Sequence, residues 1–345
     1  MGILTTNGEI IKEIERTPDE EIIFILLAGT TEISSIPGLS AAGVTPEITR
    51  LTPAVDAEIL MSGRCKSMDE PPMTPEGIPT PAVVTKGALN LTGVRSMVID
   101  SGFALYPRVP FIYSGTGASG DPRKGASLKN FDTAYQTGKY VANLLNGKYR
   151  MTFLAESVPG GTTTAMMVLR ARGFELQTSS SMPDDPVDLK ENIWREAFMM
   201  RRDVKPGFME AVRQYGDYTM VTALGFLSSY RGITILSGGT QMANIFSLFS
   251  QYSIENDINR ELYLATTSYI YDHRPDTIKK LVPENRIIVS EISMSESRYD
   301  GLKAYDHGHV REGVGMGGAH LLSYLRTQSD SKIHKSVDDL YQSLM

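Results

Sequence analysis

The sequence predicts an α/β fold with a mainly parallel sheet, and three observations indicate this class. Short apolar runs rich in β-branched residues alternate with helical patterns, glycine-rich turns follow two of the runs, and 345 residues can bury a large core. Such alternation places helices on both faces of the sheet, in a Rossmann-like three-layer arrangement. The predicted strands are residues 22–27, 96–100, 151–155, 232–236, 262–267 and 286–290.

Helices are predicted where apolar residues recur at helical spacing between these runs. In residues 131–145, Ala134, Val141 and Leu145 fit one face of a helix, and Asn146-Gly147 ends the segment. The other predicted helices are residues 165–172, 187–200, 207–215, 241–251 and 318–326.

A proline-rich stretch at residues 67–81 is predicted to be a stiff loop, because prolines interrupt both helices and strands. It forms either a pocket wall or a plain surface connection. We find no repeat and no clear linker, so residues 1–345 are interpreted as one unit with an α/β core at residues 21–300. Residues 1–20 and 318–345 are expected to form a small helical subdomain.

Charge and composition argue against several classes of function. The net charge is −6 and no cluster of Lys and Arg is present, so a nucleic-acid partner is not expected. Cys65 is the only cysteine, which fits a reducing cytoplasm. The acidic N-terminal segment has the wrong charge for a signal peptide, and no apolar run reaches membrane-spanning length. We therefore expect a cytoplasmic protein without a membrane partner.

The most informative segment is the turn at residues 156–164, which joins a predicted strand to a predicted helix. Backbone N–H groups in the first turn of a helix lack internal partners and carry partial positive charge, so an anion is stabilised there. Gly160 and Gly161 would let the backbone approach a phosphate, and Thr162 and Thr163 could add hydroxyl donors. The segment predicts a site for a phosphorylated small molecule.

A second glycine turn, Ser237-Gly238-Gly239-Thr240, follows the predicted strand at residues 232–236. Ligands of parallel sheets collect at the carboxyl ends of the strands. We therefore expect both turns to face one crevice.

Two glutamates stand beside glycine-rich segments. Glu312 precedes Gly313, where small residues leave a carboxylate accessible to a flat ligand; alternatively, it caps the next helix or lies in solvent. Glu156 contacts a ligand, or it only holds the glycine turn by accepting backbone N–H bonds. His307 and His309 have no further Cys or His nearby in the sequence, so no metal is expected.

These segments resemble the nicotinate-nucleotide:dimethylbenzimidazole phosphoribosyltransferases of cobalamin assembly, in particular their archaeal branch. Residues 154–163, Leu-Ala-Glu-Ser-Val-Pro-Gly-Gly-Thr-Thr, are similar to the phosphate loop of that family. Residues 222–239 resemble its later strand and Asp-Gly turn, and residues 312–315, Glu-Gly-Val-Gly, resemble the segment that bears its catalytic glutamate. Residues 80–85, Thr-Pro-Ala-Val-Val-Thr, are similar to its base-pocket stretch.

The chain also departs from the family pattern. Gly161 stands where the phosphate loop of the family has Asn, Ser237 replaces the Asp of the Asp-Gly turn, and the glutamine of the base pocket has no clear counterpart. These differences concern the identity of the base more than the core reaction.

The resemblance implies transfer of ribose phosphate from nicotinate mononucleotide to a benzimidazole-type base, with release of nicotinate. It implies Glu312 as the general base and a phosphate and ribose site at the two glycine turns. The residues implied in that site are Glu156, Gly160, Gly161, Thr162, Thr163, Gly238 and Gly239. Thr80 and Gly313 would line the base pocket, and a looser match suggests Lys190 for the nicotinate carboxylate.

The family further implies a homodimer that needs neither a cofactor nor a metal, since the pyridinium of the donor is already a good leaving group. Two alternatives remain open from the sequence. One is a transferase of the same fold with another acceptor, such as a purine or a phenolic base. The other is a non-catalytic protein that binds a nucleotide or a cobamide precursor.

Overall fold

The computed structural model describes residues 2–200 and 206–345. Its centre is a seven-stranded sheet in the order β1-β7-β6-β5-β4-β2-β3, in which only β1 is antiparallel to its neighbour. The strands are β1 (Ile3–Leu4), β2 (Ile22–Ala28), β3 (Arg95–Asp100), β4 (Met151–Ser157), β5 (Ile233–Ser237), β6 (Leu262–Thr267) and β7 (Ile287–Ser290). The six predicted strands are confirmed, and the short β1 was not predicted.

The helices of the described residues alternate with these strands as the sequence predicts. They are α1 (Gly8–Arg16), α2 (Pro46–Ser62), α3 (Ala82–Leu89), α4 (Phe131–Leu145), α5 (Gly161–Ala171), α6 (Val187–Met199), α7 (Phe208–Tyr215), α8 (Tyr218–Ser229), α9 (Thr240–Glu255), α10 (Ser268–His273), α11 (Pro275–Leu281), α12 (Asp300–Lys303), α13 (Met316–Thr327) and α14 (Asp330–Leu344). Helix α5 begins at Gly161, earlier than the predicted residue 165.

Helices cover both faces of the sheet, so the three-layer prediction is confirmed. Side chains of a strand point alternately to opposite faces. On β2, Ile25 and Leu27 join an apolar cluster with α4, α5, α8 and α9, whereas Phe24 and Leu26 join a second cluster with α2, α3, α13 and α14. Each cluster is one core layer between the sheet and its helices.

The chain ends, expected to form a separate helical subdomain, supply α1, α13 and α14. Helix α13 packs on β5, β6, β7 and α3, and α14 packs on α3 and α13. The boundary of that subdomain stays a prediction. In the ranges that the structure describes, no helix combines the length and the apolar character needed to cross a membrane.

The strand order reverses at β2, which lies between β3 on one side and β4 on the other. Chain connections diverge at such a point and leave a crevice at the carboxyl ends of the strands. The turns after β4 and β5 both lie at this edge of the sheet.

Candidate active site

A cavity occupies the crevice at the carboxyl ends of the parallel strands. Its wall includes the start of α5, the turn before α9, part of α2, the segment around Glu312 and the proline-rich loop of residues 72–81. The pocket-wall interpretation of that loop is therefore confirmed. Both glycine turns reach the same cavity, through Gly160 and Gly161 after β4 and through Gly239 after β5.

The start of α5 has the form that an anion site requires. Gly160 adopts a left-handed conformation with φ of +81°, and no side chain caps the helix. Thr162 belongs to the cavity wall, but Thr163 is fully buried and its hydroxyl has no hydrogen-bond partner among the described residues. Only Thr162 of this pair is placed to meet a ligand.

The turn at Gly238 and Gly239 lies between the two glutamates of the cavity. A Cβ on Gly239 would stand 3.6 Å from Cβ of Glu312, and a Cβ on Gly238 would stand 3.9 Å from Oε1 of Glu156. Of the two glycines, only Gly239 lines the cavity, whereas Gly238 packs against Met242 of α9.

Glu312 faces the cavity and also caps α13. Its carboxylate accepts backbone hydrogen bonds from Gly313, at 3.1 Å, and from Gly317 in the first turn of α13, at 3.1 and 3.3 Å. Burial raises the pKa of the Glu312 carboxyl to about 8, although these N–H bonds favour the charged form. The capping interpretation and the ligand-facing interpretation therefore both describe this residue.

Glu156 is the second-last residue of β4 and is 8% exposed. Burial, then the negative charges of Asp217 and Glu312, raise the pKa of its carboxyl to about 8. Its backbone carbonyl accepts a hydrogen bond of 3.0 Å from the N–H of Val314, which ties β4 to the segment that carries Glu312. The two glutamates are electrostatically coupled members of one site.

A third carboxyl group, Asp56, comes from the interior of α2 and was not predicted. It accepts hydrogen bonds of 2.6 Å from the hydroxyls of Thr80 and Ser157, and all three residues line the cavity. Burial raises the pKa of Asp56 to about 6. Asp56 lies between apolar neighbours in a helix, so no sequence pattern marks it as a site residue.

Lys190 lies behind the cavity wall, not in it. The side chain is fully buried, and its ammonium donates to the backbone carbonyls of Thr178, at 3.2 Å, and Ser179, at 2.9 Å. Burial lowers the pKa of Lys190 to about 8. The ammonium thus faces the protein, and direct contact with a nicotinate carboxylate would require these bonds to open.

Arg311 holds the same wall segment from the other side. Its guanidinium donates to the carbonyls of Met182, at 2.8 Å, and Pro183, at 2.6 Å. The segment between these two cations presents three consecutive serines, residues 179–181, to the cavity. These serines were not predicted, because they follow neither a strand nor a glycine turn.

Acidic side chains and two helix N-termini meet in the cavity, and buried cations lie behind part of its wall. Within the described ranges, three carboxyl groups line it and no Lys, Arg or His side chain does. The starts of α5 and α9 and the buried cations Lys190 and Arg311 lie around the serine segment. A ligand that carries both a phosphate and a cationic or N–H-bearing ring matches this combination of groups.

Other candidate groups lie outside the cavity. In residues 2–200 and 206–345, no three His, Cys, Asp or Glu side chains form a cluster suited to a metal ion. His320 is buried and shares a hydrogen bond of 2.7 Å with Ser290. The Cys65 thiol is half-buried, and burial raises its pKa to about 12, so it is a poor nucleophile.

Comparison with known proteins identifies relatives along nearly the whole chain. A UPF0284 protein of Thermoplasma volcanium is 44% identical over 329 residues, covering 94% of this chain and 95% of the relative. UPF0284 proteins of Thermococcus gammatolerans and Saccharolobus solfataricus are 38% and 32% identical and cover 94% and 95% of the chain, and 99% and 95% of their own lengths. No protein-family model matches the sequence.

Two solved structures share the fold. The nicotinate-nucleotide-dimethylbenzimidazole phosphoribosyltransferase from Thermus thermophilus aligns with a TM-score of 0.57 and 11% identity, over 96% of this chain and 89% of that chain. CobT from the same organism aligns with a TM-score of 0.56 and 13% identity, over 94% and 90%. The fold implied by the sequence resemblance is confirmed. With relatives this similar over nearly its full length, the chain belongs to the UPF0284 family.

Proposed function

We propose that this protein transfers the phosphoribosyl group of nicotinate mononucleotide to a nitrogen of a benzimidazole-type base. The products are nicotinate and an α-ribazole phosphate, as in lower-ligand assembly of cobalamin. The observation that carries the proposal is one cavity that holds both the uncapped start of α5 and Glu312, whose pKa is about 8. The shared fold supports the same reaction class.

The phosphate of the donor is assigned to the start of α5. The N–H groups of Gly161 and Thr163 already donate to the carbonyls of Val158 and Gly160, so the N–H and the hydroxyl of Thr162 are the donors that this turn offers. The start of α9 at Thr240 adds a second helix N-terminus. Ser179 stands beside Thr240, with 3.2 Å between their hydroxyls. Binding energy at this remote group holds the anomeric carbon in place for attack.

Glu312 is assigned as the general base. A benzimidazole has an N–H on one ring nitrogen and a lone pair on the other, so removal of the proton makes the second nitrogen more nucleophilic. The proton passes to the Glu312 carboxylate, the new C–N bond forms at the anomeric carbon, and the electron pair of the broken bond stays on the ring nitrogen of nicotinate. A pKa near the operating pH suits a base of this kind.

Asp56, whose pKa of about 6 leaves it ionised at pH 7, is assigned to the stabilisation of positive charge, and Glu156, whose pKa is about 8, is assigned to contact with the ribose. The donor ring is cationic, and the ribose gains oxocarbenium character as the bond breaks, so negative groups nearby favour the transition state. Both residues line the cavity with Glu312, and no cation of the described chain opposes them in its wall.

The proposal is tested by incubating the purified protein with nicotinate mononucleotide and a panel of benzimidazoles, purines and phenolic bases. Nicotinate release is followed for the wild type, for Glu312→Gln and for Glu284→Gln, a matched control at an exposed site. We expect base-dependent release that Glu312→Gln abolishes and Glu284→Gln retains. Tight binding of the nucleotide without release for any base would contradict the transferase and favour the non-catalytic binding protein.

A further inference from the structure

The backbone conformation of residue 161, the first residue of α5, does not require a glycine. The preceding Gly160 has a positive φ, but Gly161 does not. Other residues can therefore adopt the backbone of position 161 without strain. The reason for a glycine must lie in the space around it.

That space is filled by the side chain of Gln241 from the first turn of α9. A Cβ built on Gly161 would overlap the amide oxygen of Gln241 and stand 2.5 Å from its amide nitrogen. It would also stand 2.6 Å from Cγ1 of Val158, which lies at the cavity surface. Gln241 is 3% exposed and forms part of the cavity wall.

The Gln241 amide is oriented by a chain of hydrogen bonds that returns to α5. Its nitrogen donates to the hydroxyl of Thr219 at 3.4 Å, and that hydroxyl donates to Asp217. Asp217 also accepts a hydrogen bond of 2.5 Å from Thr164 on α5. A primary amide has two N–H donors, so the contact with Thr219 leaves one for a ligand.

We infer that Gln241 is a substrate-binding residue whose amide donates to the phosphate end of the nucleotide, and that residue 161 is glycine because this amide occupies its side-chain space. The inference rests on the proposed function for the identity of the ligand. It also explains why residue 161 is glycine where the phosphate loop of the resembled family has Asn. The side-chain amide that Asn would supply comes here from Gln241 on a second helix.

Binding of nicotinate mononucleotide is measured by calorimetry for the wild type, Gln241→Ala and Gln241→Glu. We expect about ten-fold weaker binding for Gln241→Ala, the loss of one hydrogen bond to a charged group. Gln241→Glu keeps the shape and replaces donors by an anion, so its binding should be weaker still. The control Gln251→Ala, on the same helix where Gln251 contacts Arg172, should bind as the wild type does.

The steric part is tested without ligand by comparing the melting temperatures of Gly161→Asn, Gln241→Ala and the double variant. We expect Gly161→Asn to lower the Tm and the added Gln241→Ala to restore part of that loss, because the two side chains compete for one space. Strictly additive losses in Tm would overturn this part.

The outcomes separate the two proposals. Wild-type affinity in both folded Gln241 variants overturns the inference and leaves the proposed function intact. A wild type that does not bind nicotinate mononucleotide overturns the proposed function and, with it, the ligand assigned to Gln241.

Discussion

Helices α5 and α13 both begin beside the cavity, each after a glycine in the left-handed region. The φ of Gly160 is +81° and that of Gly315 is +72°. Both helices are preceded by a cavity glutamate, but only Glu312 turns its carboxylate onto the following helix, where it accepts from Gly317. No side chain caps α5.

The difference shows that the same local arrangement, a glycine turn before a helix, can have two roles. At α13 the chain supplies its own anion, and the helix N-terminus then stabilises the charged form of Glu312 against the effect of burial. At α5 no side chain takes this place, and the N–H of Thr162, between two N–H groups that donate to the preceding turn, is left for an anion from outside. If α13 serves the base and α5 serves the phosphate, substitutions at the two helix starts should affect different steps.

The largest effect is expected for Glu312→Gln. Base-dependent nicotinate release should fall by roughly a hundred- to ten-thousand-fold, the usual contribution of a general base. The amide oxygen can still accept from Gly317, so we expect the Tm and the affinity for nicotinate mononucleotide to change little. Steady-state kinetics and calorimetry check this; a matching collapse of nucleotide affinity would instead assign the residue to the donor site.

The pH dependence of turnover should report the Glu312 carboxyl. A base with a pKa of about 8 is mostly protonated at pH 7 and mostly ionised at pH 9, so kcat/KM should rise about ten-fold over that range. The measurement is a pH–rate profile at a constant concentration of the benzimidazole acceptor. A flat profile between pH 6 and about 9 would show that this carboxyl does not limit the reaction.

At α5, Thr162→Val and Thr163→Val form a matched pair. Thr162 lines the cavity, so loss of its hydroxyl should weaken nucleotide binding roughly five- to ten-fold. The Thr163 hydroxyl is buried without a partner in the described residues, so its removal should leave binding nearly unchanged and protein stability equal or slightly higher. Equal losses of affinity would place the phosphate elsewhere.

The smallest effect concerns stability and pH. The carboxyl of Glu156 has a folded pKa of about 8 against an ordinary value of 4.5, so the stability associated with its neutral form is complete below 4.5 and is lost as the pH rises through 8. Glu156→Gln has no carboxyl to ionise at this position, so the variant does not lose this stability as the pH rises. Its Tm should exceed that of the wild type at pH 9, and by less at pH 5. Thermal melts of both proteins between about pH 5 and 9 are the measurement. A Tm difference between variant and wild type that does not change with pH would contradict the account.

Most of the fold could be predicted because each of the six longer strands contains a run of buried, mainly apolar residues, although β3 begins at the exposed Arg95. The short β1 has no such run, and the threonines at the start of α5 have weak helix propensity, so its first turn was missed.

The cavity-lining residues that the sequence pointed to lie near the end of a strand or in a glycine turn, as Glu156 and Gly239 do. Asp56 lies inside α2, and only tertiary packing brings it to the cavity. Gln241 directly follows the second glycine turn, but the pattern of that turn points to its glycines and not to the next side chain. The position of Lys190 behind the wall depends on the path of a loop that no local pattern determines.

The most direct test is a crystal structure of Glu312→Gln with nicotinate mononucleotide and a benzimidazole, since this variant should bind both without turnover. The account predicts the phosphate at the start of α5, within hydrogen-bond distance of Thr162, and a ring nitrogen of the base facing residue 312. A phosphate bound outside this cavity, or a base that lies away from residue 312, would contradict it.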